Sequence, residues 1–246
     1  MTIGADEPTQ ARLTESLPEA MTASMRVGNG PEAALDLDAI EPYLSKVTGL
    51  IIGPGLGHGD ALRDSLIALL GQTDLPVVLD ADALRLLENG HQALTSRQGY
   101  TVLTPHPGEM AGFLGMTTEE VQLERRSLTT RVAKQSNAFV VLKGSGTITS
   151  SPTGEVRWNP TGGPAMATGG SGDVLAGCIG GLLAQGVGPF EAAWAGVYIH
   201  GRAGDIASNA RGDAGIIASD IAHSIPTARL SLTHEDDSYE DEEGTL

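Results

Sequence analysis

Four short apolar runs, each ending in a turn of small or acidic residues, constrain this chain most. GLIIG (Gly49 to Gly53) runs into GPGLG, and LPVVLD (Leu75 to Asp80) into ADAL. YTVLT (Tyr100 to Thr104) runs into PHPGE, and FVVLKG (Phe139 to Gly144) into SGT. Helical patterns separate the runs: Ala61 to Leu70, ended by Gly71, then Ala83 to Glu88, Pro107 to Leu114 and Thr118 to Ser136. Apolar strands alternating with helices predict an α/β fold whose mostly parallel sheet carries helices on both faces. After the fourth strand, Thr147 to Asn159 reads as a hairpin turning at Pro152-Thr153-Gly154. The remainder is helical, over Val174 to Gln185, Pro189 to Ser208 and Ala218 to about Leu230. Residues 1–35 are polar and weakly periodic, with a short helix expected around Thr14 to Met25. One domain, residues 36–232, is therefore expected, followed by an acidic, disordered tail over 233–246.

Charge excludes several function classes. The chain has 246 residues with 15 Lys plus Arg against 31 Asp plus Glu, a net of -16. Seven of the acids lie between Glu235 and Glu243, and the remaining 24 still exceed the bases. Such a field repels nucleic acid and anionic membrane surfaces. The longest stretch of glycine and apolar residues, Val174 to Ala184, is far shorter than the roughly 20 residues of a membrane span. The start, MTIGADEPTQAR, lacks the basic and apolar regions of a secretory leader, so a cytoplasmic protein is expected. A single cysteine, Cys178, leaves no disulfide or thiolate zinc site within this sequence and reads as core. Only three lysines occur (Lys46, Lys134, Lys143), which fits high-salt adaptation and arginine-rich codon usage equally.

The turns carry the chemistry. GPGLG is no dinucleotide fingerprint, because His58 stands where the third glycine would be. It is read as a tight loop behind a small-molecule site. In TPHPGE the prolines fix His106 at a strand end and place Glu109 in the first helical turn. GGSGD is the strongest local signal. Unhindered amides of Gly170, Ser171 and Gly172 at a helix start can cradle a phosphate. Asp173 at the rim can accept a proton from a hydroxyl attacking a phosphoryl group. KGSGT lets a nucleotide lie against bare backbone, with Thr147 as a hydroxyl donor. Asp80 and Asp82 read as a turn and helix cap, and His200 and Asp205 as structural.

In order, GPGLG, VLDADAL, LTPHPGE, VVLKGSGT, NPTGGPAMATGGSGDVLAG and YIHGRAGDIAS resemble the ADP/ATP-dependent NAD(P)H-hydrate dehydratases, a branch of the ribokinase-like fold. The match runs from about Glu41 to Arg229, with a weaker one at Ser16 to Met25. The resemblance implies nucleotide-dependent repair of hydrated NADH or NADPH, with ADP or ATP as co-substrate and Mg2+ as cofactor. Lys143, Gly144, Ser145, Gly146, Thr147 and Gly172 would hold the nucleotide. Gly55, His106 and Asp173 would contact the hydrated nicotinamide, Asp173 as the base. Glu109 would organise magnesium indirectly, with His106 where kinases of the fold carry Asn. A homo-oligomer, a tetramer among the options, and a link to an NAD(P)HX epimerase are also implied. Relatives begin with a further strand and a Gly/Ala-rich helical segment that walls the substrate site, and no counterpart precedes Ser16. Gly163-Pro164-Ala165 stands where Asn-Pro-Gly is more usual. A ribokinase-like vitamin-precursor kinase and a non-catalytic nucleotide binder are the competing readings.

Overall fold

The computed structural model describes residues 1–28, 30–88 and 92–236. Its centre is a six-stranded sheet of β5 (Leu50–Ile52), β6 (Val77–Leu79), β7 (Thr101–Leu103), β8 (Phe139–Leu142), β9 (Ile148–Ser150) and β10 (Val156–Trp158). The spatial order is β10-β9-β8-β7-β6-β5. β5 through β8 are parallel, and β9 and β10 complete the edge antiparallel, as the hairpin pattern requires. Side chains alternate across these strands, so each apolar run serves two cores. Val77, Leu79, Leu103, Val140 and Leu142 join Leu62, Leu66, Met110 and Leu128 on one face. Val78, Val102 and Val141 join Leu175, Ile179, Ala193 and Val197 on the other.

The first face is covered by α3 (Asp60–Gln72), α4 (Asp82–Leu86), α6 (Pro107–Leu114) and α8 (Arg125–Ser136). The second is covered by α9 (Ser171–Ala184) and α10 (Pro189–Arg211), on which α11 (Ala218–Asp236) packs through Ile199, Ala203 and Ile221. Helices on both faces of a mostly parallel sheet are what the strand pattern predicts. Three local expectations change. Gly71 does not end α3, which continues to Gln72. The stretch from Thr118 divides at Glu124 into α7 (Thr118–Leu123) and α8, because Thr117 and Glu120 form a capping box that sets the shorter helix apart. α5 (Gln92–Thr95) is an added short turn between β6 and β7.

The N-terminal helix lies elsewhere than expected. α1 spans Glu7–Ser16, and Met21–Ser24 forms strand β2, paired in parallel with β1 (Thr2–Ala5). Asp6 caps α1 by accepting from the Thr9 amide at 2.9 Å, and Pro8 sits in its first turn. Pro18 lies just beyond the helix end, where it favours extended backbone for the chain entering β2. β3 (Arg26–Val27) and β4 (Ala34–Leu35) form a small antiparallel pair, and α2 (Leu37–Leu44) leads into the main sheet. At the other end α11 continues through Thr233 to Asp236, so the first residues assigned to the tail are helical. The rest of that expected tail, 237–246, lies outside the described residues.

Candidate active site

Four of the sequence motifs follow the carboxyl ends of four adjacent parallel strands, where open α/β sheets place their ligands. Backbone bonds lace these turns together. The Asp80 amide donates to Ile52 O at 3.1 Å, Thr104 N to Leu79 O at 3.1 Å, and Lys143 N to Pro105 O at 2.9 Å. Gly57 N donates to the Asp82 carboxylate at 2.8 Å, joining GPGLG to the turn after β6. Gly53, at φ 133, sits so close to the Asp80 carbonyl that no Cβ could be accommodated. Gly55, two residues on, faces open space, as a ligand-facing position would.

TPHPGE folds as the prolines dictate. His106 is the N-cap of α6, and its Nδ1 accepts from Gly108 N at 3.0 Å and Glu109 N at 3.1 Å. The neutral ring therefore carries its proton on Nε2, which lies 3.3 Å from Glu109 Oε1. Glu109 reciprocates by accepting from the His106 amide at 2.8 Å, which completes a capping box. His106 leaves about half its side chain, 48%, exposed, whereas Glu109 is buried.

Lys143 links this helix to the rest. Its Nζ is 2.7 Å from Asp80 Oδ1 and 3.7 Å from Glu109 Oε2. Asp80 is 1% exposed and also accepts from Thr104 Oγ1 at 2.8 Å. It does not cap α4, whose N-cap is Ala81 and which has no side-chain cap. The sequence predicts a turn and helix cap at Asp80 and Asp82, and the structure makes Asp80 an ion-pair partner instead. Ala81 itself has φ 48 and ψ -120, an unfavourable conformation for a residue with a Cβ.

GGSGD meets Lys143 at Gly172. A Cβ on Gly172 would lie 3.4 Å from Lys143 Nζ and 3.8 Å from Asp80 Oδ2. No side chain caps α9, which begins after Gly170 at φ 85. Of the expected cradle amides, that of Ser171 is turned to the Thr168 carbonyl at 3.3 Å, because Gly170 closes a tight turn there. Burial, followed by the Asp80 carboxylate, raises the pKa of Asp173 above its ordinary value, while Lys143 opposes the rise. His200 approaches from α10, with Nε2 3.4 Å from Ser171 Oγ. Burial pushes its pKa down to about 4, so the ring is neutral near pH 7.

The KGSGT turn is built to hold its backbone open. Gly146, at φ 64, leaves no room for a Cβ beside the Trp158 indole nitrogen. Ser145 is exposed, whereas the Thr147 hydroxyl already donates to Gly144 O at 2.9 Å. Arg125, which no sequence motif marked, braces the turn by donating to Leu142 O at 3.0 Å and to Lys143 O at 3.3 Å. Cys178 is half-buried in α9, packed against the cluster between α9, α10 and α11, and desolvation pushes its thiol pKa up to about 11.

Magnesium finds no cage here. Among the described residues no group of three or more His, Cys, Asp or Glu could hold a metal ion. Both oxygens of Glu109 are occupied by His106 and Lys143. Among the described residues, the side chains do not by themselves form a magnesium site.

A model of the NAD(P)H-hydrate dehydratase family matches residues 1–227, so the stretch ahead of Glu41 belongs to the family domain as well. The bifunctional NAD(P)H-hydrate repair enzyme Nnr of Moorella thermoacetica is 41% identical over 226 residues, 91% of this chain and 41% of that protein. The ADP-dependent (S)-NAD(P)H-hydrate dehydratase of Neisseria meningitidis is 41% identical over 219 residues, 87% of this chain and 71% of that protein. The chain thus spans about two fifths of the bifunctional relative's length. The ADP/ATP-dependent NAD(P)H-hydrate dehydratase of Bacillus subtilis, co-crystallized with ATP/Mg2+, has a TM-score of 0.77 and 28% identity, covering 94% of this chain and 78% of that one. A ribokinase-like superfamily protein of Enterococcus faecalis has a TM-score of 0.74 and 29% identity, covering 92% and 75%. The fold is ribokinase-like, and the chain belongs to the NAD(P)H-hydrate dehydratase family.

Proposed function

We propose that this chain uses an adenine nucleotide, ADP in preference to ATP, to return hydrated NADH or NADPH to the intact cofactor. The observation that carries the reading is the meeting of Lys143 and Gly172 beside Asp173, which brings the lysine turn and the helix start to one point. Hydroxide is a poor leaving group and phosphate a good one. Asp173 would take the proton of the substrate hydroxyl as that oxygen attacks the terminal phosphorus of the nucleotide. With ADP the products of this step are AMP and a phosphorylated substrate. The C–O bond then breaks with electron release from the ring nitrogen, and phosphate leaves with the former hydroxyl oxygen. Loss of a proton from the adjacent ring carbon to water or the departing phosphate restores the carbon–carbon double bond.

The residues supply a base and fixed charge. A raised Asp173 pKa makes its carboxylate a stronger proton acceptor, and the Lys143 ammonium stands where charge develops on the transferred group. Gly144 to Thr147 and Gly172 would carry the nucleotide, and Gly55 and His106 the hydrated ring. Magnesium would arrive on the nucleotide phosphates and neutralise their charge. The bifunctional name of the Moorella relative supports a link to a second repair activity, which we assign to an NAD(P)HX epimerase. A cytoplasmic homo-oligomer completes the proposal.

The test incubates the protein with hydrated NADH, magnesium and ADP, ATP or no nucleotide. Reduced-nicotinamide absorbance should return with nucleotide alone, ADP above ATP. Absorbance that stays flat in every arm sinks the reading, and a stable phosphorylated product would identify a kinase instead.

A further inference from the structure

We propose that Asp80 is a positioning residue for Lys143, its carboxylate holding the lysine ammonium against the start of α9, where the transferred phosphoryl group would pass. The inference rests on the functional reading above and assigns a part to a residue that the reading leaves idle. Three observations converge on it. Asp80 is 1% exposed, yet its carboxylate does not cap the helix that follows, and its Oδ1 accepts from Lys143 at 2.7 Å and Thr104 at 2.8 Å. The backbone around it is held in a costly shape, with Ala81 at φ 48 and ψ -120 and Gly53 pressed onto the Asp80 carbonyl. Retained strain of this kind marks positions where geometry matters more than local stability.

The third observation is where the ammonium ends up. Lys143 has a long stem and is 17% exposed, so without a partner it could swing toward solvent. Asp80 at 2.7 Å and Glu109 at 3.7 Å draw it from two sides, and it comes to rest against Gly172. A pair that served stability alone has no need of that location, since apolar side chains in place of a buried ion pair are often as stabilising. Thr104 orients the carboxylate from the neighbouring strand end. Asp80 thus acts through Lys143 and need not touch the nucleotide or the hydrated nicotinamide.

The test compares wild type with Asp80→Asn and Thr104→Val. The amide keeps the shape and an acceptor but loses the charge, and valine removes the orienting hydroxyl while the charge stays. Two readouts are taken on each protein: kcat against KM for the nucleotide, and the acetylation rate of each lysine by acetic anhydride and mass spectrometry. Three lysines in the chain make the labelling unambiguous, with Lys46 and Lys134 as internal references. Asp80→Asn should lower kcat by about 10- to 100-fold, as small misplacements of a reacting group do, with nucleotide KM changed less than about threefold. Lys143 should become several times more reactive while the reference lysines stay constant, and Thr104→Val should move both readouts less, in the same direction. Lys143 reactivity in Asp80→Asn equal to wild type, or kcat within twofold, overturns the proposal. Should Asp80→Asn fail to fold by circular dichroism, Thr104→Val decides, and unaltered Lys143 labelling there overturns it as well. Wild type without nucleotide-dependent turnover would overturn the functional reading, while the labelling still decides whether Asp80 positions Lys143.

Discussion

The guanidinium of Arg125 lies across the backbone of Lys143, with both terminal nitrogens donating to its carbonyl oxygen at 3.3 Å. The same group reaches Leu142 O at 3.0 Å and Gly146 O at 3.4 Å, so one side chain spans the KGSGT turn from the strand to its last glycine. Burial lowers its pKa, but an arginine stays charged throughout the working range.

Arg125→Gln should therefore loosen the turn without touching Asp173. Hydrogen bonds from a charged donor are worth roughly 1.5–3 kcal/mol each, and loss of even part of this set should raise the nucleotide Kd by about tenfold. Isothermal titration with ADP checks it. Unchanged affinity would show that the turn holds its shape through Gly144 and Gly146 alone.

How far the sequence exposes this site depends on whether a residue's task is local. His106, Glu109 and Lys143 could be read because they follow strands directly, and strand ends are where such sheets place ligands. Asp80 follows a strand too, but an acid ahead of a helix looks like a cap, and its pairing with Lys143 spans 63 positions. Arg125 gives no signal at all: it is one of two adjacent arginines on a polar helix, 18 positions from the carbonyl it braces. β2 falls in a stretch whose sequence predicts helix, because a four-residue strand is too short to display a period of two against a helical background. The apolar runs themselves were unambiguous, since strands buried on both faces have few other sequences open to them.

The base is tested by Asp173→Asn, which keeps the shape and cannot accept the proton. Turnover should fall by about 10²–10⁴-fold. Nucleotide affinity should stay within about threefold, since one side-chain amide replaces a carboxylate in a site that Asp80 already makes negative. A variant that retains more than about a third of wild-type turnover would remove Asp173 from the role of positioned base.

His200 makes stability depend on pH. Its pKa falls from an ordinary value near 6.5 to about 4, chiefly through burial, so the folded protein resists the proton that the unfolded chain accepts. The unfolded state binds more protons between these values, and stability must rise with pH across that window. The contribution, roughly 3 kcal/mol, is complete above pH 6.5 and lost as pH falls toward 4. Urea unfolding of wild type and His200→Gln from pH 4 to 7 reads the slope, which should be shallower in the variant. Parallel slopes would mean that His200 is protonated in the native state.

Gly172→Ala separates stability from function most sharply. The added Cβ would lie 3.4 Å from Lys143 Nζ and 3.8 Å from Asp80 Oδ2, distances the flexible lysine tip can accommodate. Gly172 is the second residue of α9 and has no positive φ, so alanine is compatible with its backbone. Replacing a helical glycine restricts the unfolded chain and commonly stabilises by about 0.4–1 kcal/mol. The melting temperature should accordingly hold or rise. The methyl group, however, would occupy the space between the helix start and the ammonium, where a phosphate has to approach bare backbone. ADP affinity should drop by at least about tenfold, since blocking a single close contact of 1.4 kcal/mol already does so. A variant that is stabilised and still binds ADP like wild type would show that the nucleotide does not pass between Gly172 and Lys143.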